Sequence, residues 1–211
     1  MYNCLLCLKS GSSFFETSQK YLKCLECDLI FLMPEYRLSL QAERERYLTH
    51  NSDVEAKGYQ DFVSPLCRQI KANTLPTDLG LDYGCGQGPV TSYLLTKEGY
   101  NISCYDPFFR NEPLLLDRKY DFIFLCEVAE HFYNPRVEFE KLAGLLMNKK
   151  TLFVKTELHD QTKSFEKWYY KNDPTHVCFY SVQTMQWIQR HFGFLKVEFF
   201  PQYVTVFSSL S

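Results

Sequence analysis

The sequence predicts an α/β protein, a doubly wound and mostly parallel sheet with a C-terminal antiparallel hairpin, preceded by a small cysteine-bearing module. Three observations predict it. From Thr77 onward, short apolar runs alternate with amphipathic stretches, the pattern that lays helices on both faces of a parallel sheet. A glycine-rich turn, LDYGCGQG from Leu81 to Gly88, follows the first of these runs. Two CxxC pairs, Cys4/Cys7 and Cys24/Cys27, stand ahead of the alternating region.

The chain of 211 residues can bury one core and carry one small satellite module. Its formal net charge of -2 excludes a protein coated for nucleic acid. The start, MYNCLLCLKS, lacks the charged and then apolar run of a signal peptide, and no stretch could span a bilayer. The expectation is a cytoplasmic protein without a membrane partner, its oligomeric state open. With no export signal, the nine cysteines read as thiols of a reducing compartment.

Residues 1–34 read as a zinc ribbon. Each CxxC knuckle points two sulfurs the same way, so Cys4, Cys7, Cys24 and Cys27 can converge tetrahedrally on one zinc. So short a segment has little core of its own, and the metal must supply much of its stability. Four thiolates leave no coordination position open for chemistry, which makes the zinc structural. A redox role for the pairs is the alternative, although a dithiol exchanger needs only one of them. Lys9, Lys20 and Lys23 are balanced by Glu16, Glu26 and Asp28, so the module presents no phosphate-binding stripe. Cys67, Cys85, Cys104, Cys126 and Cys178 stand among apolar residues and read as small buried hydrophobes.

Residues 35–76 read as a helical connector or lid. SLQAERERYLTH is charged and helix-prone. GYQDFVSPLCRQIKANT places Tyr59, Phe62, Val63, Leu66 and Ile70 at helical spacing, a stripe for core packing or for covering a ligand. Pro65 falls in the first turns of that helix or bends it.

Residues 77–211 carry the main domain. LGLDYG is a strand, VTSYLLTKEG a helix stopped by Gly99, and YNISCYD a second strand ending in Asp106. YDFIFLCE is a fully buried third strand, PRVEFEKLAGLLMN a helix and KKTLFVKTE a fourth strand. SVQTMQWIQRHFG is a helix stopped by Gly193, and FLKVEFFPQYVTVFSS the terminal hairpin.

The glycine turn is not a dinucleotide fingerprint, because the third position of GxGxxG is Pro89. Asp82, Gly84, Gly86 and Gly88 alternate instead. The turn admits close backbone approach, and the missing phosphate features point to an adenosine joined to a cationic amino-acid end. Asp82 is placed to accept from an ammonium group and Asp106 to take ribose hydroxyls.

These residues carry a resemblance. Leu81 to about Thr156 resembles class I S-adenosylmethionine-dependent methyltransferases: LDYGCGQG is similar to their glycine loop, CYDPF to their ribose-binding acid, and YDFIFLCEVAEHF to their fourth strand and its loop. The whole chain resembles a bacterial group in which a zinc ribbon precedes that domain, RYLTHN, GY and YKNDPTHVCFYS being further signature-like stretches. The resemblance implies a Rossmann-like fold, S-adenosylmethionine as cofactor, and cofactor binding through Asp82, Gly84, Gly86, Gly88, Asp106, Pro107, Phe108 and Glu127. It implies no substrate. Two departures stand out. Pro107 to Tyr120 is too short for the family's usual helix, strand and helix, so the edge strand reduces to a loop, with Phe108 and Phe109 replacing adenine cover. MNKK (Met147 to Lys150) replaces the usual proline-glycine-glycine turn, a loop variation without catalytic meaning.

Methyl transfer from a sulfonium is an in-line displacement, so alignment and removal of a proton are the protein's tasks. His176, Glu127 and His131 are the catalytic candidates. Glu127, Glu130 and His131 form an ExxEH pattern similar to the divalent-metal site of ubiquinone-pathway O-methyltransferases and small-RNA 2′-O-methyltransferases. It suits magnesium or manganese, with His176 as a further contact. Alternatively Glu130 and His131 pair to shape the loop, while Glu127 faces the methionine end of the cofactor. His176 reads as a general base, with Asp173 orienting it or binding substrate, or as a structural histidine closing its turn. Trp168, Tyr169 and Tyr170 wall an acceptor pocket, or belong to the core or a surface patch. His50 and Asn51 cap a helix or reach the cofactor. His159 and His191 read as exposed or helix-end residues without a role.

The function that follows is methyl transfer to a small-molecule acceptor, at oxygen. Two other readings stay open: an RNA methyltransferase whose ribbon contacts substrate, and a non-catalytic zinc-ribbon binding protein.

Overall fold

The computed structural model describes residues 2–49, 53–160, 162 and 164–209. His50 and Asn51 lie outside the described residues. Fifteen strands and α-helices follow the chain as β1 (Gly11–Glu16), β2 (Lys20–Cys24), β3 (Ile30–Leu32), α1 (Leu40–Tyr47), α2 (Lys57–Asn73), β4 (Leu79–Tyr83), α3 (Val90–Lys97), β5 (Asn101–Tyr105), β6 (Tyr120–Cys126), α4 (Pro135–Leu145), β7 (Leu146–Lys155), β8 (Cys178–Phe179), α5 (Val182–His191), β9 (Lys196–Phe200) and β10 (Val204–Ser208).

The main sheet has the order β5-β4-β6-β7-β10-β9. Its first four strands are parallel, and β10 is antiparallel to both of its neighbours, β7 and β9. The fold is therefore the expected α/β Rossmann-like one with a mixed, mostly parallel sheet. Strand β6 shows why. Phe122 and Phe124 pack with Val63, Leu66 and Ile70 of α2 on one face, while Ile123 and Leu125 join Phe139 and Leu142 of α4 on the other. A strand buried on both faces has no polar side to alternate with, hence the unbroken apolar run. Each such side chain contributes about 1.5–3 kcal/mol by its burial.

Strand β5 is the edge among the described residues. Beyond it, only a short 3-10 turn at Pro113–Asp117 occupies the segment expected to be trimmed. From β4 the chain adds β5 on one side and then crosses over to add β6 on the other, and this reversal of strand order opens a crevice at the carboxyl ends of these strands.

Two details differ from expectation. Helix α4 stops at Leu145 and β7 begins at Leu146, so no helix reaches Asn148 and no turn intervenes. The slack is absorbed in the ladder itself: Tyr120 pairs with Leu146 but Phe122 with Thr151. Pro65 sits in the middle of α2, past its first turns. The Ser64 hydroxyl donates to the Asp61 carbonyl at 2.9 Å, satisfying the acceptor that a proline amide cannot serve.

A second sheet, β1-β2-β3-β8, is antiparallel throughout. Its fourth strand comes from residues 178–179, and its core is continuous with that beneath α4 and α5. Among the described residues no helix is long and apolar enough to cross a membrane.

Candidate active site

A cavity of about 670 Å³ occupies the crevice between β4 and β6. The glycine turn forms one wall. Gly84 (φ +85°) and Gly86 (φ +63°) are left-handed. A Cβ on Gly84 would also lie 2.7 Å from the Val128 methyl groups, so this position excludes any side chain twice over. Gly88 lines the cavity without a left-handed backbone. The turn hangs on the end of β5: the Gly84 and Cys85 amides both donate to the Tyr105 carbonyl, at 2.8 and 3.1 Å.

Asp106 stitches two loops together. Its Oδ2 accepts from the Gly86 amide at 2.9 Å, and its Oδ1 accepts from the Phe108 and Phe109 amides at 2.8 and 3.0 Å. Three donors leave room for about one more on a carboxylate with roughly four acceptor sites. Pro107, Phe108 and Phe109 line the cavity beside it. Asp82 is buried at the cavity floor and accepts from the Ser92 hydroxyl of α3 at 2.6 Å. Burial holds its carboxyl well above the usual range.

Glu127 follows β6 in a left-handed conformation (φ 54°), which for a non-glycine residue stores strain. Its carboxylate faces Lys155 Nζ at 3.2 Å, and the Tyr170 hydroxyl donates to it at 3.1 Å. Burial raises its carboxyl to about 7 despite the lysine. The ammonium of Lys155, itself 2% exposed, also stands 3.6 Å from the Phe62 ring centroid. Neither Lys155 nor Ser92 could be singled out from the sequence, because their partners lie on other elements.

His131 and His176 also line the cavity, with Glu130 buried behind them. One ligand atom from each lies within 4.8 Å of the others. Glu130 is fully buried; its Oε2 accepts from Thr156 at 2.8 Å, while Oε1 has no partner and lies 3.9 Å from His131 Nε2. His131 Nδ1 is 3.0 Å from the Thr175 carbonyl and His176 Nδ1 is 2.7 Å from the Tyr170 carbonyl. A carbonyl only accepts, so both Nδ1 atoms carry hydrogen, and in the neutral imidazole Nε2 is the atom with the lone pair. Burial lowers the His131 imidazole to about 4. Glu127, grouped with Glu130 and His131 by the sequence pattern, is engaged by Lys155 and Tyr170 instead. Asp173 does not orient His176; its carboxylate accepts from Thr175 and pairs with Arg46 at 2.6 Å.

Tyr47 of α1 stands edge-on to His131, and with Tyr59 of α2 it covers the cavity. The tyrosine–tryptophan run does not. Trp168 and Tyr170 are buried in the core, and Trp168 donates to Glu157. Tyr169 is 66% exposed. His159, expected at the surface, is buried with Nε2 3.1 Å from the Asp28 carbonyl; His191 ends α5 stacked on Trp187.

Away from the cavity, the four N-terminal cysteines are buried with sulfurs mutually within 4.8 Å. Cys4 and Cys27 sulfurs lie 3.5 Å apart, Cys7 and Cys24 sulfurs 3.3 Å apart. The Leu6 and Cys27 amides point at the Cys4 and Cys24 sulfurs, as knuckle amides do.

A tight glycine turn and an acid at the end of the next strand line a cavity at the switch point of an α/β sheet, where proteins of this architecture bind their ligands. The chain belongs to the methyltransferase domain family, whose pattern matches residues 56–198. Its fold is that of class I S-adenosylmethionine-dependent methyltransferases. Similar solved structures include 1,6-didemethyltoxoflavin-N1-methyltransferase of Burkholderia thailandensis, at 11% identity over 95% of this chain and 99% of that one, with a TM-score of 0.59. An S-adenosylmethionine-dependent methyltransferase of Archaeoglobus fulgidus shares 21% identity over 67% and 72% of the two chains (TM-score 0.54). Magnesium protoporphyrin IX methyltransferase of Synechocystis PCC 6803 shares 17% over 82% and 95% (TM-score 0.52). No curated protein matches the sequence.

Proposed function

We propose that this protein transfers the methyl group of S-adenosylmethionine to a hydroxyl of a small-molecule acceptor. One observation carries the reading: the glycine turn with Asp106 and the imidazoles of His131 and His176 line the same cavity. The first supports a nucleoside, the second a proton acceptor beside it. The volume lies in the range of small-molecule sites. The molecules named for two of the similar structures, 1,6-didemethyltoxoflavin (in an N1-methyltransferase) and magnesium protoporphyrin IX, are small molecules as well.

In this reading Asp106 uses its remaining acceptor capacity on a ribose hydroxyl, and Gly84 and Gly86 let the backbone approach the ligand. Pro107, Phe108 and Phe109 cover the adenine. Asp82 and Glu127 face the ammonium end. The acceptor enters beneath Tyr47 and Tyr59, its oxygen in line with the sulfonium. As the new C–O bond forms, the C–S bond breaks and its electron pair stays on sulfur. With no cation bound, the acceptor proton passes to His176, whose Nδ1 is held by the Tyr170 carbonyl.

Two metals suit the donor sets. Four buried thiols within 4.8 Å match the spacing of about 3.8 Å between sulfurs around a tetrahedral zinc, and Cys4, Cys7, Cys24 and Cys27 would hold it as a structural ion. The orphaned Glu130 Oε1 with His131 and His176 offers one carboxylate and two imidazoles. Such a set favours manganese or another borderline ion over magnesium. When bound there, a divalent cation would supply Lewis acidity that lowers the pKa of an acceptor hydroxyl.

Calorimetry with S-adenosylhomocysteine tests the cofactor, and transfer of labelled methyl to a panel of hydroxylated small molecules tests the reaction. Micromolar binding followed by labelled product is the expected outcome. Folded protein that binds no S-adenosylhomocysteine would overturn the reading.

A further inference from the structure

Helix α1 covers the cavity with an acid, where a covering helix ordinarily turns an apolar stripe inward. The one residue of α1 that is buried is Glu43, 5% exposed, and it lines the cavity together with Tyr47 one turn on. The leucines at the two ends of the helix, Leu40 and Leu48, are exposed instead. The Tyr47 hydroxyl donates to Glu43 Oε1 at 2.7 Å, and its ring packs against those of Phe108 and His131, with centroids 5.7 and 5.3 Å away.

Among the described residues no cation answers this charge. Arg37 donates to the Leu32 and Tyr133 carbonyls, Arg44 stands over the Phe109 ring, and Arg46 pairs with Asp173. The other acids that line the cavity have their tasks. Asp106 holds three amides, Glu138 pairs with Lys141 at 3.0 Å, and Asp82 and Glu127 are the acids given to the ammonium end of the cofactor. Burial holds the Glu43 carboxyl above its usual range. A buried charge without a counter-charge costs stability, and an apolar side chain in its place would not. A helix that keeps such a group over a ligand cavity is fitted to what the cavity takes in.

We propose that Glu43 is an acceptor-binding residue, and that the small-molecule acceptor carries a protonated amine that docks on its carboxylate beneath α1. This rests on the methyltransferase reading of the same cavity and narrows the acceptor to one class, hydroxylated amines. A cation suits the site better than a neutral donor, since a hydroxyl would bring a hydrogen bond and leave the buried charge unpaired. Tyr47 links Glu43 to His131, through its hydroxyl on one side and its ring on the other, and the His131 ring lies 4.8 Å from that of His176. The nitrogen and the methylated oxygen therefore belong to opposite ends of the acceptor, the amine as handle and the hydroxyl beside His176.

The test uses the full, zinc-loaded chain, both free and saturated with S-adenosylhomocysteine. Hydroxylated aromatic and aliphatic amines of graded chain length, and the same compounds N-acetylated to remove the charge, are titrated in pairs by ligand-observed nuclear magnetic resonance. At least one amine should bind tenfold or more tighter than its acetylated twin. Glu43→Gln keeps an acceptor for the Tyr47 hydroxyl; it should bring that ratio close to one and leave S-adenosylhomocysteine affinity, measured by calorimetry, unchanged. Glu43→Asp restores the charge and should restore part of the preference. Amines that bind no better than their twins, or a preference that survives in Glu43→Gln, would overturn the proposal. So would a tenfold loss of S-adenosylhomocysteine affinity in Glu43→Gln, which would give the carboxylate to the cofactor. Folded parent that binds no S-adenosylhomocysteine fails the methyltransferase reading by itself, and the paired titrations of the free chain still decide whether Glu43 holds an amine.

Discussion

The Gly86 amide donates to the Asp106 carboxylate at 2.9 Å, joining the glycine turn after β4 to the loop after β5. The acid at the strand end is therefore a structural clasp before it meets any ligand. Asp106→Ala leaves three amides without their acceptor. The expected result is a cost of about 1–3 kcal/mol in urea unfolding and at least a hundredfold loss of S-adenosylhomocysteine affinity by calorimetry. Unchanged affinity would sink the ribose assignment.

Asp82 sets stability against binding. Burial raises its carboxyl above the unfolded value of about 3.9. A raised folded pKa contributes stability that is full below the unfolded value and is lost as pH rises through the folded one. Asp82→Asn keeps an acceptor for Ser92 and removes the buried charge. It should stabilise the protein at pH 8 by about 1–3 kcal/mol, have little effect near pH 4, and weaken S-adenosylhomocysteine binding. Equal stability shifts at both pH values would contradict the sign.

Manganese titration followed by electron paramagnetic resonance should reveal one site besides the cysteine cluster. Glu130→Gln and His176→Ala should each weaken it at least tenfold. Glu127→Gln should leave it nearly unchanged, since Lys155 and Tyr170 already occupy that carboxylate. No bound manganese in the folded parent would remove the cation from the proposed function.

One zinc per chain is expected by elemental analysis. Cys24→Ser should lose it and lower the melting temperature by roughly 10 °C, the consequence of losing about 3–5 kcal/mol in a chain of this size. A zinc-free parent with an unchanged melting temperature would refute the structural role.

Much of the fold was legible because its signals are local. Phe122 to Leu125 must be buried on both faces, and Gly99 and Gly193 end their helices with left-handed backbones. The glycine turn was equally plain. The rest depends on partners that the chain brings from afar. Nothing around His176 tells that the Tyr170 carbonyl rather than Asp173 sets its tautomer, or that Arg46 claims Asp173. His159 looked like a surface residue until the knuckle carbonyl of Asp28 closed over it. Lys155 sits in a strand as an ordinary lysine, and only the fold gives it Glu127 and Phe62.

Strand β8 contributes two residues to the N-terminal sheet, pairing Ile30 with Phe179 and Phe31 with Cys178. That arrangement sets an order of events at the ribosome. The first three strands of the cysteine module leave the exit tunnel before the main domain is made, yet their fourth strand is synthesised only after most of that domain. Until then Ile30 and Phe31 present an unpaired apolar edge to the cell. A module begun before the main domain is completed from within it.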